Sequence, residues 1–82
     1  MKRTSLSKDD QVWLKSVGRN IEALIRDKGY KSVYDFWVRK AGDDFARATL
    51  NYMVQGRVDF KATSVRTLAK LLGVKVSRIL EV

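Results

Sequence analysis

The stretch Asp44 to Arg57, DFARATLNYMVQGR, decides the fold, because it reads as one short helix with two chemically different faces. Ala46, Leu50 and Met53 recur at intervals of four and three residues, the spacing of an apolar stripe on an α-helix. Arg47, Asn51, Tyr52 and Gln55 occupy the remaining surface, and Gly56 stops the helix ahead of Arg57. Side chains of these kinds reach base edges and phosphates in a major groove. An ordinary amphipathic helix with a polar outer face has the same pattern, so the stretch alone leaves both readings open.

Upstream, Asp43 and Asp44 read as N-caps of this helix, their carboxylates near its positive end. A catalytic carboxylate pair is disfavoured: neighbouring turn positions do not converge on one substrate atom, and the chain has no histidine or cysteine to partner them. Before Gly42, Ser32 and Asp35 give a capping arrangement for a second helix, with Val33, Phe36, Trp37 and Val38 as its buried face. Tyr34, Arg39 and Lys40 face outward. A first helix opens at Ser7, with Asp10 as capping partner, and carries Leu14, Val17, Ile21 and Leu24 at intervals of three and four, widened by Trp13 and Ile25. It ends near Asp27, before Gly29. Gly18 lies inside this pattern at a cost of roughly 0.8–1 kcal/mol relative to alanine, so a helix starting only at Val17 stays open.

Downstream, Arg57 to Ala62 reads as a loop with Phe60 turned toward the core. Thr63 or Ser64 caps a fourth helix that buries Val65, Leu68, Ala69, Leu71 and Leu72 and ends at Gly73. Val76, Ile79 and Leu80 mark a last short helix. With Val74 and Val82 it offers more apolar surface than a terminal turn needs, implying contact with the first helix, a second subunit, or both. With no proline and no strand-like alternation, the chain reads as an all-α compact bundle of five short helices. Residues 7–82 form one domain behind a basic N-terminal arm, 1–6, in which Lys2 and Arg3 either reach DNA or simply fray.

Eighty-two residues bury only about 60–65% of the surface an unfolded chain exposes, so the core must be continuous. No apolar run is long enough to cross a membrane, and MKRTSLSKDD lacks the core of a secretory signal. An intracellular, cytoplasmic protein is expected. The net charge of +8 implies an anionic partner. From Phe45 to Leu80, seven basic residues stand against Asp59 alone, so this half carries +6 of the charge.

The order and lengths of these helices resemble the Cro/repressor-type helix-turn-helix family over roughly Val17 to Leu80. The segments that carry the likeness are VGRNIEALIRDKG, LNYMVQGR and LAKLLGVKVSRIL. The resemblance implies a helix-turn-helix DNA-binding domain over 7–82 whose third helix enters the major groove. Carried over, Arg47, Ala48, Asn51 and Gln55 face bases, and Tyr52, Arg57 and Lys61 lie along the backbone. The sequence departs from the family pattern in three places. Ser32, Val33 and Tyr34 stand where a phosphate-binding glutamine is usual, Trp37 or Val38 where a small alanine is usual, and Asp43 and Asp44 lengthen the turn by two residues.

Arg47 suits guanine O6 and N7, Asn51 suits adenine N6 and N7, and Arg57 and Lys61 suit phosphate, while Tyr52 fits a half-buried core position as well as the DNA backbone. A module this small usually works as a homodimer on two half-sites, and Val74, Val76, Ile79, Leu80 and Val82 are the candidate two-fold contact. The expectation is a sequence-specific transcriptional regulator on double-stranded DNA, associated with the nucleoid and needing no cofactor. A protein-interaction module on the same fold, antitoxin-like or an adaptor, is the alternative, and a non-specific binder of nucleic acid or anionic membranes is a third. Without histidine, cysteine, a phosphate-cradling loop or metal-ligand spacing, an enzyme is not expected.

Overall fold

The computed structural model describes residues 7–82, which fold as five helices with no strand among them. The basic arm read at 1–6, with Lys2 and Arg3, lies outside the described residues. Helix α1 spans Lys8–Asp27, opened by Ser7, whose hydroxyl accepts from the Asp10 N–H at 3.0 Å. Its stripe of Leu14, Val17, Ile21, Leu24 and Ile25 is buried as the spacing predicts. Trp13, expected to widen the stripe, remains 43% exposed.

The helix does not begin at Val17. It runs straight through Gly18, and packing explains why a glycine stands there. A Cβ on Gly18 would lie 2.2 Å from the Val54 carbonyl oxygen, so the missing side chain lets α3, Arg47–Gln55, cross α1 at backbone contact. Gly56 serves the same crossing from the other side. It closes α3 at φ +68°, with Arg57 N–H bonded to Tyr52 O at 3.0 Å, and a Cβ there would meet Lys15 Cα at 2.6 Å. α3 therefore has α1, more than the preceding helix, as its main neighbour.

Helix α2, Val33–Phe36, is capped as expected. Ser32 Oγ accepts from Asp35 N–H at 3.0 Å, and Asp35 Oδ2 accepts from Lys31 N–H at 2.9 Å. The helix then widens into a π-helical turn, Trp37–Ala41. This turn corrects the expected buried face. Hydrogen bonding from i to i+5 brings Ala41 beneath Phe36, both fully buried, and leaves Val38 55% exposed with Arg39 and Lys40 in water. An uninterrupted α-helix would have carried Lys40 toward the core instead.

The acids Asp43 and Asp44 do not cap α3. Both are exposed in the turn, and the capping position is Ala46, which has no side-chain acceptor. The apolar face is shifted accordingly: Phe45 is buried just before the helix and Ala46 is exposed, so the core set is Phe45, Leu50 and Met53. Phe45 is fixed by its N–H, bonded to Ala41 O at 3.0 Å, and by its carbonyl, which accepts from Trp37 Nε1–H at 2.7 Å.

Helix α4, Ala62–Leu72, buries Val65, Leu68, Ala69 and Leu72, with Leu71 half-buried, and stops at Gly73. Its capping position lies two to three residues before the expected Thr63 or Ser64. Lys61 takes the capping position without a side-chain bond, leaving Thr63 and Ser64 inside the first turn. Helix α5, Val76–Leu80, returns to α1, where the Asn20 amide donates to Arg78 O at 2.8 Å and Ile79 O at 2.9 Å. No polar side chain is buried among the described residues. No helix among them is long and apolar enough to cross a membrane.

Candidate nucleic-acid interface

With α3 buried along Leu50 and Met53, its outward surface is set. Arg47, Ala48, Tyr52 and Gln55 are exposed and Asn51 is half-buried, five positions that share one side of the helix. The helix carries no acid. Its first N–H groups have no side-chain acceptor at Ala46, so the positive end of the helix dipole is left bare beside Arg47. Asn51 makes no hydrogen bond to a described residue, so its amide retains the donor and acceptor that adenine requires.

The two arginines of the site are held by aromatic faces. Arg47 Cζ lies 4.6 Å from the centre of the Tyr34 ring, and Arg57 Cζ lies 5.3 Å from that of Tyr52. Arg57 Nη1 also donates to Gln55 Oε1 at 3.4 Å, a long bond of little strength. Tyr52, Gln55 and Arg57 therefore form one polar cluster at the end of α3. Tyr52 is 43% exposed and belongs to this surface, not to the core. Lys61 is exposed at the start of α4.

Cation pairing is sparse. Among the described residues the ion pairs are Arg26 with Glu22 at 3.0 Å and Arg39 with Asp35 at 3.3 Å, both one turn apart on their own helices. The seven cations between Phe45 and Leu80 have none, so their charge is not neutralised within the described chain. Asp35 is the carboxylate with a displaced titration. Its bond from Lys31 N–H holds the pKa below the ordinary value, assisted by Arg39 and opposed by partial burial.

The five residues read as a two-fold contact do not form one exposed patch. Ile79 is fully buried, because α5 packs that position against the core that includes α1, and it is removed from the set. Val74 and Leu80 are half-buried, while Val76 and Val82 are 39% and 60% exposed. Val76 and Leu80 line a shallow apolar groove of about 300 Å³ together with Trp13, Phe60 and Val65.

Two residues that complete the site were not assigned to it from the sequence. Tyr34, 53% exposed, supports Arg47, and Trp37 stacks on Tyr34 with ring centres 6.1 Å apart and planes inclined at 30°. The available signal was their spacing: aromatic residues three apart on a helix share a face. No group of three or more acidic residues that could hold a metal ion occurs among the described residues. No family model matches the chain, and neither does any curated protein or solved structure.

Proposed function

We propose that the chain is a sequence-specific DNA-binding regulator that lays the outer face of α3 in the major groove of double-stranded DNA. The observation that carries this reading is the face itself: Arg47, Ala48, Asn51, Tyr52 and Gln55 on one side of an acid-free helix, between unneutralised cations. A nine-residue helix is about 13 Å long, enough to reach three or four base pairs while its diameter fits the groove. Arg47 would pair with guanine and Asn51 with adenine, each contributing about 1–3 kcal/mol of discrimination. Ala48 and Gln55 complete the base-facing set, and Tyr52, Arg57 and Lys61 meet the backbone. The chain would act as a homodimer through the part of the α5 region left accessible, the exposed Val76 and Val82 with the half-buried Val74 and Leu80, in the cytoplasm on the nucleoid.

A protein-interaction module is the second reading, favoured by Asp43 and Asp44, exposed at the entrance to α3, where they would repel phosphates. The two readings separate in selection from a random duplex pool across a salt series, with Arg47→Ala and Asn51→Ala beside the wild type. Enrichment of a palindromic site, with each substitution relaxing preference at its own base pair, supports the regulator. Uniform weak binding indifferent to both substitutions refutes it and leaves a protein partner as the better account.

A further inference from the structure

Arg47 is held unusually for an arginine with no acceptor. It has no hydrogen bond or ion pair to a described residue, and its contact is with the face of Tyr34. Tyr34 is itself supported: it stacks on Trp37, and the Trp37 indole N–H is anchored on the Phe45 carbonyl at 2.7 Å. Phe45 precedes Arg47 by two residues, so the contacts close into a circuit from the turn through two rings to the guanidinium and back along the chain. Every other link in that circuit fixes a ring or a backbone group. The five N–H donors of Arg47 are left unspent.

We propose that Tyr34 is a positioning residue that holds the Arg47 guanidinium as a pre-oriented base reader and thereby sets the strength of base preference at the position Arg47 meets. The proposal rests on the DNA-binding reading above. A free arginine side chain surrenders rotamer freedom when it makes a planar bidentate contact, and one already held on a ring surrenders less. Stacking on an exposed ring restricts the guanidinium without occupying its donors, as an ion pair would. Tyr34 and Trp37 tie the segment before the turn to the start of α3, the Trp37 indole at Phe45 and the Tyr34 ring at Arg47.

The test uses the full chain and a duplex carrying the site selected by the wild type, with all four bases placed in turn at the position that Arg47→Ala relaxes. Dissociation constants are measured for the wild type, Tyr34→Ala, Tyr34→Phe, Arg47→Ala and the Tyr34→Ala/Arg47→Ala pair. Tyr34→Ala is expected to lower discrimination at that one position by roughly two- to fivefold, the range of an exposed cation–π contact, with the salt dependence unchanged. Tyr34→Phe retains the ring and should keep wild-type discrimination. In the Arg47→Ala background the loss of Tyr34 should have no further effect. Unchanged discrimination in Tyr34→Ala overturns the proposal while leaving the DNA-binding reading intact. So does an equal Tyr34→Ala effect with Arg47 absent, which would mean that the ring touches DNA itself. A wild type with no base preference at any position overturns both. Because Tyr34 is more than half exposed, Tyr34→Ala should fold, and thermal unfolding of each variant verifies it.

Discussion

Replacing Gly18 by alanine sets two well-defined effects against each other. Helix propensity favours the substitution, since alanine inside a helix is better than glycine by about 0.8–1 kcal/mol. Packing opposes it. The new methyl would sit 2.2 Å from Val54 O, 2.8 Å from Val54 C and 2.9 Å from Met53 O, all backbone atoms that no rotamer change can move. Restoring ordinary contact of 3.4 Å requires α1 and α3 to part by about 1.2 Å at the crossing. That separation also pulls Gly56 from its seat against Lys15 and loosens Leu50 and Met53. Overpacking of this kind costs typically 1–3 kcal/mol, and an obstruction made wholly of backbone belongs at the upper end or beyond it. The net expectation for Gly18→Ala is a loss of about 2 kcal/mol, or roughly 8–16 °C in Tm for a domain of this size. Urea and thermal unfolding followed by far-ultraviolet circular dichroism measure it directly. Ala23→Gly, at an exposed position of the same helix, serves as the propensity control and should lose about 1 kcal/mol. A Gly18→Ala variant as stable as the wild type, or more stable, would refute the close crossing.

Two further substitutions probe other supports. Asn20→Ala removes both amide bonds to the end of α5 and should cost about 1–2 kcal/mol, whereas Asn20→Asp, which sets a carboxylate against two carbonyl oxygens, should cost more in the same denaturation assay. Asp35 has a folded pKa below its unfolded one, so its contribution is fully present above the ordinary carboxylate value of about 3.8 and is lost as pH falls through the lower folded value. A pH series of Tm should show that acid-limb loss in the wild type and a flatter limb in Asp35→Asn; identical limbs would dismiss the Lys31–Asp35–Arg39 arrangement as a source of stability.

Much of the architecture is legible in the sequence because it rests on short-range patterns. The α1 stripe, the Ser7 and Ser32 caps and the stops at Gly56 and Gly73 each declare themselves within a few residues. The turn before α3 does not. Phe45 and Ala46 both fit an apolar position, and Phe45 is inside and Ala46 outside where Phe45 is bonded to Ala41 O and to the Trp37 indole, contacts that no local spacing announces. The acids beside them resemble caps, yet Ala46 and Lys61 take capping positions with no side-chain bond at all. Ile79 was ambiguous for a related reason: a short terminal helix with apolar residues on several sides does not reveal which one faces inward. In the candidate site, the polar face of α3 could be read from spacing. The shared face of Tyr34 and Trp37 was also open to reading from their spacing, but the seat of Arg47 on the Tyr34 ring was not, because it depends on how two separate helices meet.

The central place of α1 has a consequence during synthesis. This helix is made first, yet the groups that cover it come much later: Val54 and Gly56 at its crossing, then Arg78 and Ile79, 58 and 59 residues beyond Asn20. At about 5–20 residues per second, the ribosome needs roughly 3–12 s to add the segment between Asn20 and its carbonyl partners. Until α3 is made, Leu14, Val17, Ile21 and Leu24 lack the helix that packs against them, and until Arg78 and Ile79 are made, Asn20 lacks its carbonyl partners. The bonds from Asn20 to α5 are therefore among the last native contacts that synthesis makes possible.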